Sequence, residues 1–392
     1  MSSTHFSLVL DDDVATCVGC GLCLPHCPTF RVTGEEALSP RGRIATIAAV
    51  KSGAIELDDG VVRFLDTCVQ CRACEPACPS GVPYGRMIEA AKRDLPTRRL
   101  PRWIRLGLRI LPRHRLLLLG RPAIVVAQRL APERFGLART PRMRWRRPRP
   151  TGSVRGRGTG PDVWIHTGCV MDVTQSDTHV ALASIVGRLG LTHAVPGRTG
   201  GCCGALATHA GRHAEAVRLA ERTMRSLPGD AVILVDSAGC GAAMKEYPRL
   251  LGTAEATAFA ARVRDAVEWL AEHVDELELP PPSGRVVVQD PCHHRHVQKV
   301  HNATRRVLRR VTEVVEIPDD GLCCGAGGAY SYLQPTLAGE IRTRKVAAIV
   351  DAAGDPHCVV ASANPGCSMF LGHAGLDARH PIDLVAAALE RT

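Results

Sequence analysis

The sequence predicts a multidomain protein in which a small α-helical domain precedes two tandem cysteine-rich α/β domains. The first observation is cysteine content, since the 392 residues include 17 cysteines that gather in clustered motifs. The second is an internal repeat, because the cysteine pattern of the C-terminal half recurs after an interval of between 121 and 127 residues. The third is that short β-branched runs alternate there with helical patterns, which is typical of a parallel sheet.

Cysteine content and charge divide the chain into four expected parts. Residues 1–95 carry eight cysteines, residues 96–160 none, residues 161–280 four and residues 281–392 five. The formal net charge is +10, yet residues 96–160 alone contain 18 Arg and a single acid, Glu133. The basic character therefore belongs to this connector, which we expect to form short helices that each open near a proline.

Each repeat is expected to alternate strands with helices. The predicted strands are Val163–Ile165, Val232–Val235, Val286–Val288 and Val359–Val360. The predicted helices are His179–Leu189, Arg212–Leu227, Ala256–His273, Ala303–Val311 and Leu337–Val350. Several cysteines follow directly after these strands, where open parallel sheets place their ligands.

The first 13 residues lack the features of a secretory signal, and no apolar run approaches the ~18 residues of a membrane-spanning helix. We therefore expect a cytoplasmic protein whose thiols stay reduced. In that compartment, clustered cysteines bind metal more often than they form disulfides.

Two motifs with the same spacing predict iron–sulfur clusters. They are Cys17-x2-Cys20-x2-Cys23-x3-Cys27-Pro28 and Cys68-x2-Cys71-x2-Cys74-x3-Cys78-Pro79. This is the spacing of bacterial two-cluster ferredoxins, in which the cysteine before proline binds the other cluster. Two [4Fe–4S] clusters are thus predicted, one held by Cys17, Cys20, Cys23 and Cys78, and one by Cys68, Cys71, Cys74 and Cys27. A pair of zinc sites is the alternative, although zinc ribbons use two well-separated C-x2-C pairs.

Between these motifs, Ser39 and Pro40 predict the start of a helix, as N-cap and first helical residue. Two interpretations of its arginines stay open. Arg41 and Arg43 either lie next to an anionic cluster or point into solvent from a helix that docks on the cluster domain.

A second constellation, Cys…Cys-Cys-Gly…Cys, occurs once in each repeat. Its members are Cys169, Cys202, Cys203 and Cys240, and then Cys292, Cys323, Cys324 and Cys367. Four thiolates suffice for a further [4Fe–4S] cluster, while buried core thiols, a catalytic dithiol or a zinc site are alternatives. Cys358 has no counterpart and is expected to be a core thiol. Near Cys292, His293, His294 and His296 are expected in the core or in solvent, although His294 and His296 could face a site.

Motifs for other chemistry are absent from the sequence. No G-x-G-x-x-G opens a helix after a strand, and there is no P-loop and no G-x-S-x-G. We therefore expect no catalytic residue and no flavin or nicotinamide on this chain. It is predicted to be the electron-carrying part of a larger complex.

The whole chain resembles the iron–sulfur subunits of glycolate oxidase (glycolate dehydrogenase). The matching segments are Ser39-Pro-Arg-Gly-Arg-Ile44, Cys78-Pro-Ser-Gly-Val82, Gly201-Cys-Cys-Gly-Ala205, Ala238-Gly-Cys-Gly-Ala242 with Lys245-Glu-Tyr247, Leu322-Cys-Cys-Gly325 and Asn364-x-Gly-Cys367. The resemblance implies two cysteine-rich (CCG) repeat domains behind a two-cluster ferredoxin domain. It also implies a FAD-containing partner that oxidises glycolate, or a similar 2-hydroxy acid, to glyoxylate. This chain would then relay electrons to a quinone or another acceptor.

The wider superfamily includes iron–sulfur subunits of lactate utilisation, anaerobic glycerol-3-phosphate dehydrogenase and heterodisulfide reductase. Full repeats of the heterodisulfide reductase type end in Cys-x-x-Cys, whereas here Ser237 and Asn364 stand at the first of those positions. Each repeat therefore keeps four of five thiols. This departure counts against the alternative of a heterodisulfide reductase-like enzyme that acts through its own Cys-Cys pairs.

For the Arg-rich connector, three roles stay open. It could attach peripherally to an anionic membrane surface on the inner face of the cell membrane, dock on an acidic partner, or pack across the repeats. A hydrophobic helical face that includes Trp103 favours the first role. Nucleic-acid binding is not expected, because stacking aromatics are few and no known recognition motif occurs.

Overall fold

A computed structural model describes residues 6–95, 100–130, 149–150, 160–196, 201–318 and 321–391. The chain folds into an N-terminal helical unit, two connector helices and two α/β repeats. Most of the predicted connector beyond Leu130 lies outside the described residues.

Five helices build the N-terminal unit. They are α1 (Asp11–Ala15), α2 (Pro28–Thr33), α3 (Pro40–Lys51), α4 (Asp59–Asp66) and α5 (Tyr84–Asp94). The predicted start of α3 is confirmed, since Ser39 Oγ accepts a hydrogen bond from Gly42 N at 2.9 Å and Pro40 opens the helix. Ile47, Leu65 and Met87 lie at the centre of its apolar core. The two cysteine motifs occupy the loops α1–α2 and α4–α5.

Two connector helices follow, α6 (Arg102–Ile110) and α7 (His114–Leu130). On α6, Ile104 and Leu108 are buried, while Trp103 is 58% exposed. The expectation of short helices that each open at a proline is wrong for α7, which continues through Pro122. A proline interrupts only one helical hydrogen bond and can be accommodated in a bent helix.

The first repeat contains four parallel strands in the order β2-β1-β3-β4. The strands are β1 (Val163–His166), β2 (His193–Ala194), β3 (Val232–Val235) and β4 (Val263–Asp265). Its helices are α8 (Val170–Thr174), α9 (Ser176–Arg188), α10 (Ala205–His209), α11 (His213–Ser226), α12 (Ala238–Lys245), α13 (Tyr247–Leu251), α14 (Ala254–Ala261) and α15 (Ala266–His273).

One predicted helix of this repeat is broken. Residues 256–273 form the end of α14, strand β4 and then α15, because Val263 pairs with Ile233 at the edge of the sheet. Asp265 then opens α15 with a capping box whose other member is Glu268. A strand of three residues is too short to disturb a helical pattern in the sequence.

The second repeat has the same architecture, with strand order β6-β5-β7-β8 and parallel pairing throughout. The strands are β5 (Arg285–Val288), β6 (Glu313–Glu316), β7 (Val359–Ala361) and β8 (Asp377–Arg379). The helices are α16 (His301–Leu308), α17 (Tyr330–Leu333), α18 (Pro335–Ala353), α19 (Pro365–Gly372) and α20 (Pro381–Leu389). A π-helical turn, His293–Gln298, follows Cys292.

The two repeats share one core, in which α9 and α15 pack against α20 and α16. Polar groups are buried along this interface. His179 Nδ1 lies 2.5 Å from Asp236 Oδ2, and His294 Nε2 lies 2.8 Å from Asp265 Oδ2. His294 thus joins the repeats through Asp265 and does not take part in the cysteine site beside it.

A pH dependence of stability is expected from Asp383 at this interface. Its Oδ2 accepts from Thr178 Oγ1 at 3.0 Å, while Oδ1 has no hydrogen-bond partner within the described residues. Burial, together with nearby Asp236 and Asp177, raises the pKa of Asp383 to about 7. Because the pKa in the unfolded chain is ~3.9, the folded state loses stability as pH rises from about 4 to about 7.

Asp383→Asn should therefore increase the free energy of unfolding at pH 8 by roughly 2–4 kcal/mol and raise the melting temperature accordingly. The increase should be smaller at pH 5. Thermal unfolding of both proteins at the two pH values measures this. Asp351→Asn on the exposed part of α18 is the control and should change neither melting temperature. An equal gain at pH 5 and pH 8 would contradict the assignment.

Candidate functional site

The first ferredoxin-type set lines one cavity. Cys17, Cys20 and Cys23 from the α1–α2 loop lie around it together with Cys78 and Cys74 from the α4–α5 loop. Arg41 closes one side, where Nη1 donates to Gly19 O at 2.8 Å and Nε pairs with Glu36. The structure thus brings together the four cysteines that the spacing predicted for one cluster. Cys20 is exposed, so this cavity lies at the protein surface.

The second set lines a neighbouring cavity. Its cysteines are Cys27, Cys68, Cys71 and Cys74, again three from one motif and one from the other. All four are buried. Burial and the neighbouring thiols raise the pKa of Cys74 well above its usual value. Cys74 and Tyr84 line both cavities, so the two share a wall.

The two loops curl in the same way around their middle cysteine. Gly19 and Gly21 flank Cys20 with φ of 70° and 81°, and Gln70 and Arg72 flank Cys71 with φ of 60° and 62°. A non-glycine residue in this region costs about 1–2 kcal/mol. The surroundings hold both side chains, because Gln70 Nε2 donates to His209 O at 3.0 Å and Arg72 pairs with Glu75 and Glu246.

Arg43 is the cation of the second cavity. It is buried, and Nη1 lies 3.9 Å from Cys27 Sγ, while Nη2 donates to Thr29 and Thr67. Burial opposes its charge, but Tyr84, Cys68 and Cys27 hold the pKa of Arg43 above its usual value. Among the described residues no carboxylate pairs with it. A buried cation needs an anionic partner, and an iron–sulfur group on four thiolates would provide one. Both arginines left open above thus lie beside a cysteine site: Arg43 is buried against the second set, and Arg41 lines the first cavity.

The four cysteines of the first repeat meet at the carboxyl edge of its sheet. They follow β1, β2 and β3, which are adjacent parallel strands, so their chain ends converge. Cys169 donates to Cys202 and Cys203 donates to Cys240, which lowers the pKa of Cys202 and of Cys240. Metal ligands must be deprotonated, so these buried pairs favour ligation.

The second repeat brings its four cysteines together in the same way. Cys323 donates to Cys292 and to Cys324, and the pKa of both acceptor thiols lies well below its usual value. Cys367 also donates to Cys324. Cys358 lies apart, half-buried in the apolar core behind β7, as expected.

The second repeat touches the ferredoxin-type unit through sulfur. Cys71 of the second cavity and Cys323 lie within hydrogen-bonding distance, and the contact raises the pKa of Cys323 together with its contacts to Cys292 and Cys324. Val69, Tyr330 and Ile341 surround it as a common apolar cluster. Nothing in the sequence pattern indicates this junction, since its members lie about 250 residues apart.

Ser237 and Asn364 lie near each other at the repeat interface. Asn364 Oδ1 accepts from Gly239 N at 3.2 Å, and Ser237 Oγ lies 3.5 Å away. Asn364 Nδ2 donates to Cys367 Sγ at 3.4 Å. Ser237 and Asn364 thus form a contact between the repeats. They stand at the positions where full repeats of the heterodisulfide reductase type have a fifth cysteine.

Two histidines lie beside repeat cysteines. The sequence pattern predicted one of them in the core or in solvent and did not single out the other. His293, expected in the core or in solvent, contacts Cys292 and stacks on His209 with ring centres 5.6 Å apart. His166, which follows three apolar strand residues, lies next to Cys240. Its position at the end of β1, three residues before Cys169, was the available signal. Within the described residues, no three His, Cys, Asp or Glu side chains converge closely enough to hold a single metal ion.

Comparison with known proteins places the chain in a family. Residues 13–82 match the family described as a 4Fe-4S dicluster domain, and residues 163–245 and 286–372 match the cysteine-rich domain family. The chain is 32% identical to the glycolate oxidase iron-sulfur subunit of Escherichia coli (strain K12), over 98% of this chain and 96% of that relative. The chain belongs to the family of glycolate oxidase iron–sulfur subunits.

Two further relatives outline this family and its surroundings. The "Probable glycolate oxidase iron-sulfur subunit" of Bacillus subtilis (strain 168) is 32% identical over 91% of this chain and 88% of its own length. A component of the dihydromethanophenazine:CoB--CoM heterodisulfide reductase of Methanosarcina mazei is 27% identical over 92% of this chain and 88% of its own length. As a member of the glycolate oxidase iron–sulfur subunit family, the chain is an iron–sulfur part of an oxidoreductase complex. Its described helices include none with the length and apolar character to cross a bilayer.

Proposed function

We propose that this chain relays electrons between a FAD-containing partner subunit, which oxidises glycolate or a similar 2-hydroxy acid to glyoxylate, and a quinone or another acceptor. The observation that carries this proposal is that successive cysteine sites are in contact. The first cavity, at the protein surface, shares a wall with the second cavity, and Cys71 of the second cavity contacts Cys323 of the second repeat.

In this proposal the ferredoxin-type cysteines hold two [4Fe–4S] clusters. Cys17, Cys20, Cys23 and Cys78 would hold the first, and Cys27, Cys68, Cys71 and Cys74 the second. An iron–sulfur cluster accepts and releases one electron at a time. The protein supplies the surroundings: Arg43 offsets negative charge at the second site, and Tyr84 donates to Cys68 Sγ at 3.6 Å. Apolar side chains of the unit's core pack around Cys68 and Cys74 at that site.

The surface site is the proposed contact with the flavoprotein. Val18 and Leu22 flank Cys20 and are 73% and 57% exposed. Apolar side chains around an exposed redox site suit docking of a partner, because they exclude water when the partner covers them. The buried second site and the repeats then lie on the acceptor side.

A reconstitution assay tests this function. The full chain, purified without oxygen, and the flavoprotein are assayed together and apart for glycolate-dependent reduction of a dye or a quinone. Quinone reduction should require both proteins, and Leu22→Glu should slow it without changing the iron content of the chain. Glycolate oxidation by the chain alone, or full quinone reduction by the flavoprotein alone, would overturn the proposal.

The connector offers a second surface, for which we propose peripheral contact with an anionic membrane. Trp103 and Leu106 on α6 and Leu119 on α7 are exposed, on a segment rich in arginine. Such a face suits the interface of an anionic membrane, where an acceptor quinone would be found. Co-sedimentation with acidic but not neutral vesicles would support this attachment, and no co-sedimentation would exclude it.

A heterodisulfide reductase-like activity has less support. Full repeats of that type carry a fifth cysteine, and here Ser237 and Asn364 contact each other instead.

A further inference from the structure

A buried imidazole that makes no well-formed hydrogen bond within the described residues lies in the first repeat centre. His166 is the last residue of β1 and is 1% exposed. Neither ring nitrogen makes a hydrogen bond of acceptable geometry to any atom in the part of the chain that the structure describes. A buried polar group left without a partner is costly. A group that an imidazole nitrogen can bind at this site would satisfy the ring.

The imidazole lies on the cysteine side of the sheet. Trp164, two residues earlier and on the same face of the strand, packs in the cluster that contains Cys203 and Cys240. His166 itself contacts Cys240, whose pKa it helps to lower after the larger effect of Cys203. The ring is thus next to the thiolates proposed as metal ligands.

The second repeat provides an internal comparison. Gln289 occupies the position that matches His166, at the end of β5. Its side chain is fully engaged in protein contacts, since Nε2 donates to Asp290 O at 2.6 Å and Oε1 accepts from Ser362 Oγ at 2.7 Å. The equivalent side chain is therefore hydrogen-bonded to other protein groups in the second repeat, whereas in the first repeat it lies against Cys240 with no well-formed hydrogen bond among the described residues.

From these observations we infer that His166 is a nitrogen ligand of an iron–sulfur group in the first repeat, which it binds together with Cys169, Cys202, Cys203 and Cys240. Imidazole nitrogen is an established ligand of iron–sulfur centres. The inference rests on the proposed function, because it requires that this repeat carries such a group. It makes the two repeats unequal: the second repeat has no imidazole at the matching position.

Pulsed EPR on the full chain tests the ligand directly. The chain is purified without oxygen, loaded with iron and sulfide, and measured in oxidised and reduced states with natural or ¹⁵N-labelled histidine. A hyperfine coupling from a directly bound nitrogen is expected, and it should change with the label. His166→Gln, which copies the second repeat, should abolish it. His293→Gln, which removes the histidine beside Cys292, should leave it in place.

A second variant covers a failure of His166→Gln to fold. His166→Cys keeps a donor atom, so it should retain the iron, lose the nitrogen coupling and lower the midpoint potential of the centre, because thiolate is charged and imidazole is neutral. Absence of nitrogen coupling in the wild type, its persistence in a folded His166 variant, or its loss only in His293→Gln would overturn the inference. About eight irons per chain without the coupling would overturn this inference alone. Absence of all iron would overturn the proposed function as well.

Discussion

Replacing Cys17 and Cys78 together is expected to remove no more iron than replacing either one alone. Both line the surface cavity, although they belong to motifs about 60 residues apart. If they hold the same cluster, Cys17→Ser, Cys78→Ser and the double variant should each lose about four irons per chain. Iron and acid-labile sulfide analysis after anaerobic purification measures the loss.

The matched double variant combines Cys17→Ser with Cys27→Ser, two changes within one motif. Cys27 lines the other cavity, so this pair should lose about eight irons, the sum of two separate losses. Opposite results for the two pairs would mean that each motif holds its own cluster, and the crossed arrangement would be wrong. The comparison is internal, because both double variants share Cys17→Ser and differ in one position.

Arg43→Met is expected to lower the reduction potential of one ferredoxin-type cluster by roughly 100 mV. Reduction adds negative charge to the site, and Arg43 is the buried cation nearest to it, 3.9 Å from Cys27 Sγ. A unit charge about 6 Å away contributes roughly 3 kcal/mol at an effective dielectric constant of about 20, and 1.4 kcal/mol corresponds to about 59 mV for one electron. A redox titration followed by EPR measures the potential.

Arg41→Met is the control for this change. Arg41 lies two residues away on the same helix, but its side chain is 35% exposed, pairs with Glu36 and donates to Gly19 O. Solvent screens an exposed charge, so its loss should shift the potential of either cluster much less. Arg43→Lys keeps the charge and should retain most of the wild-type potential. An equal shift for Arg41→Met and Arg43→Met would show that burial of the charge is not the cause.

Local patterns predicted much of the fold. The four inner strands of the two sheets lie within a residue of their predicted positions, because β-branched runs followed by turn residues are typical of buried parallel strands. The edge strands β2, β4, β6 and β8 were not predicted. Asp377–Arg379 of β8, for example, is polar at both ends, and it is a strand only because β7 provides the pairing groups.

The cysteine sites show the same division. Motif spacing predicted two sets of four cysteines, and the members of each set line one cavity, with Cys74 lining both. Three thiols two residues apart can reach a common point only within one tight loop. Spacing could not distinguish Arg41 from Arg43, which share a helix and a charge. Their environments differ because Arg43 lies against α4 and α2, where it donates to Phe64 O and to Thr29 Oγ1.

The sequence by itself determined the cysteine sets, the repeat and the family, since each of these is carried by residue identity and by intervals along the chain. Only the tertiary structure decided which sites touch. Three contacts join strands or loops that are distant in sequence. They are Cys71 with Cys323, His166 with Cys240, and Ser237 with Asn364. The physical reason is that hydrogen bonding, burial and electrostatic effects act over a few ångströms of space, and chain folding alone sets which residues come within that range.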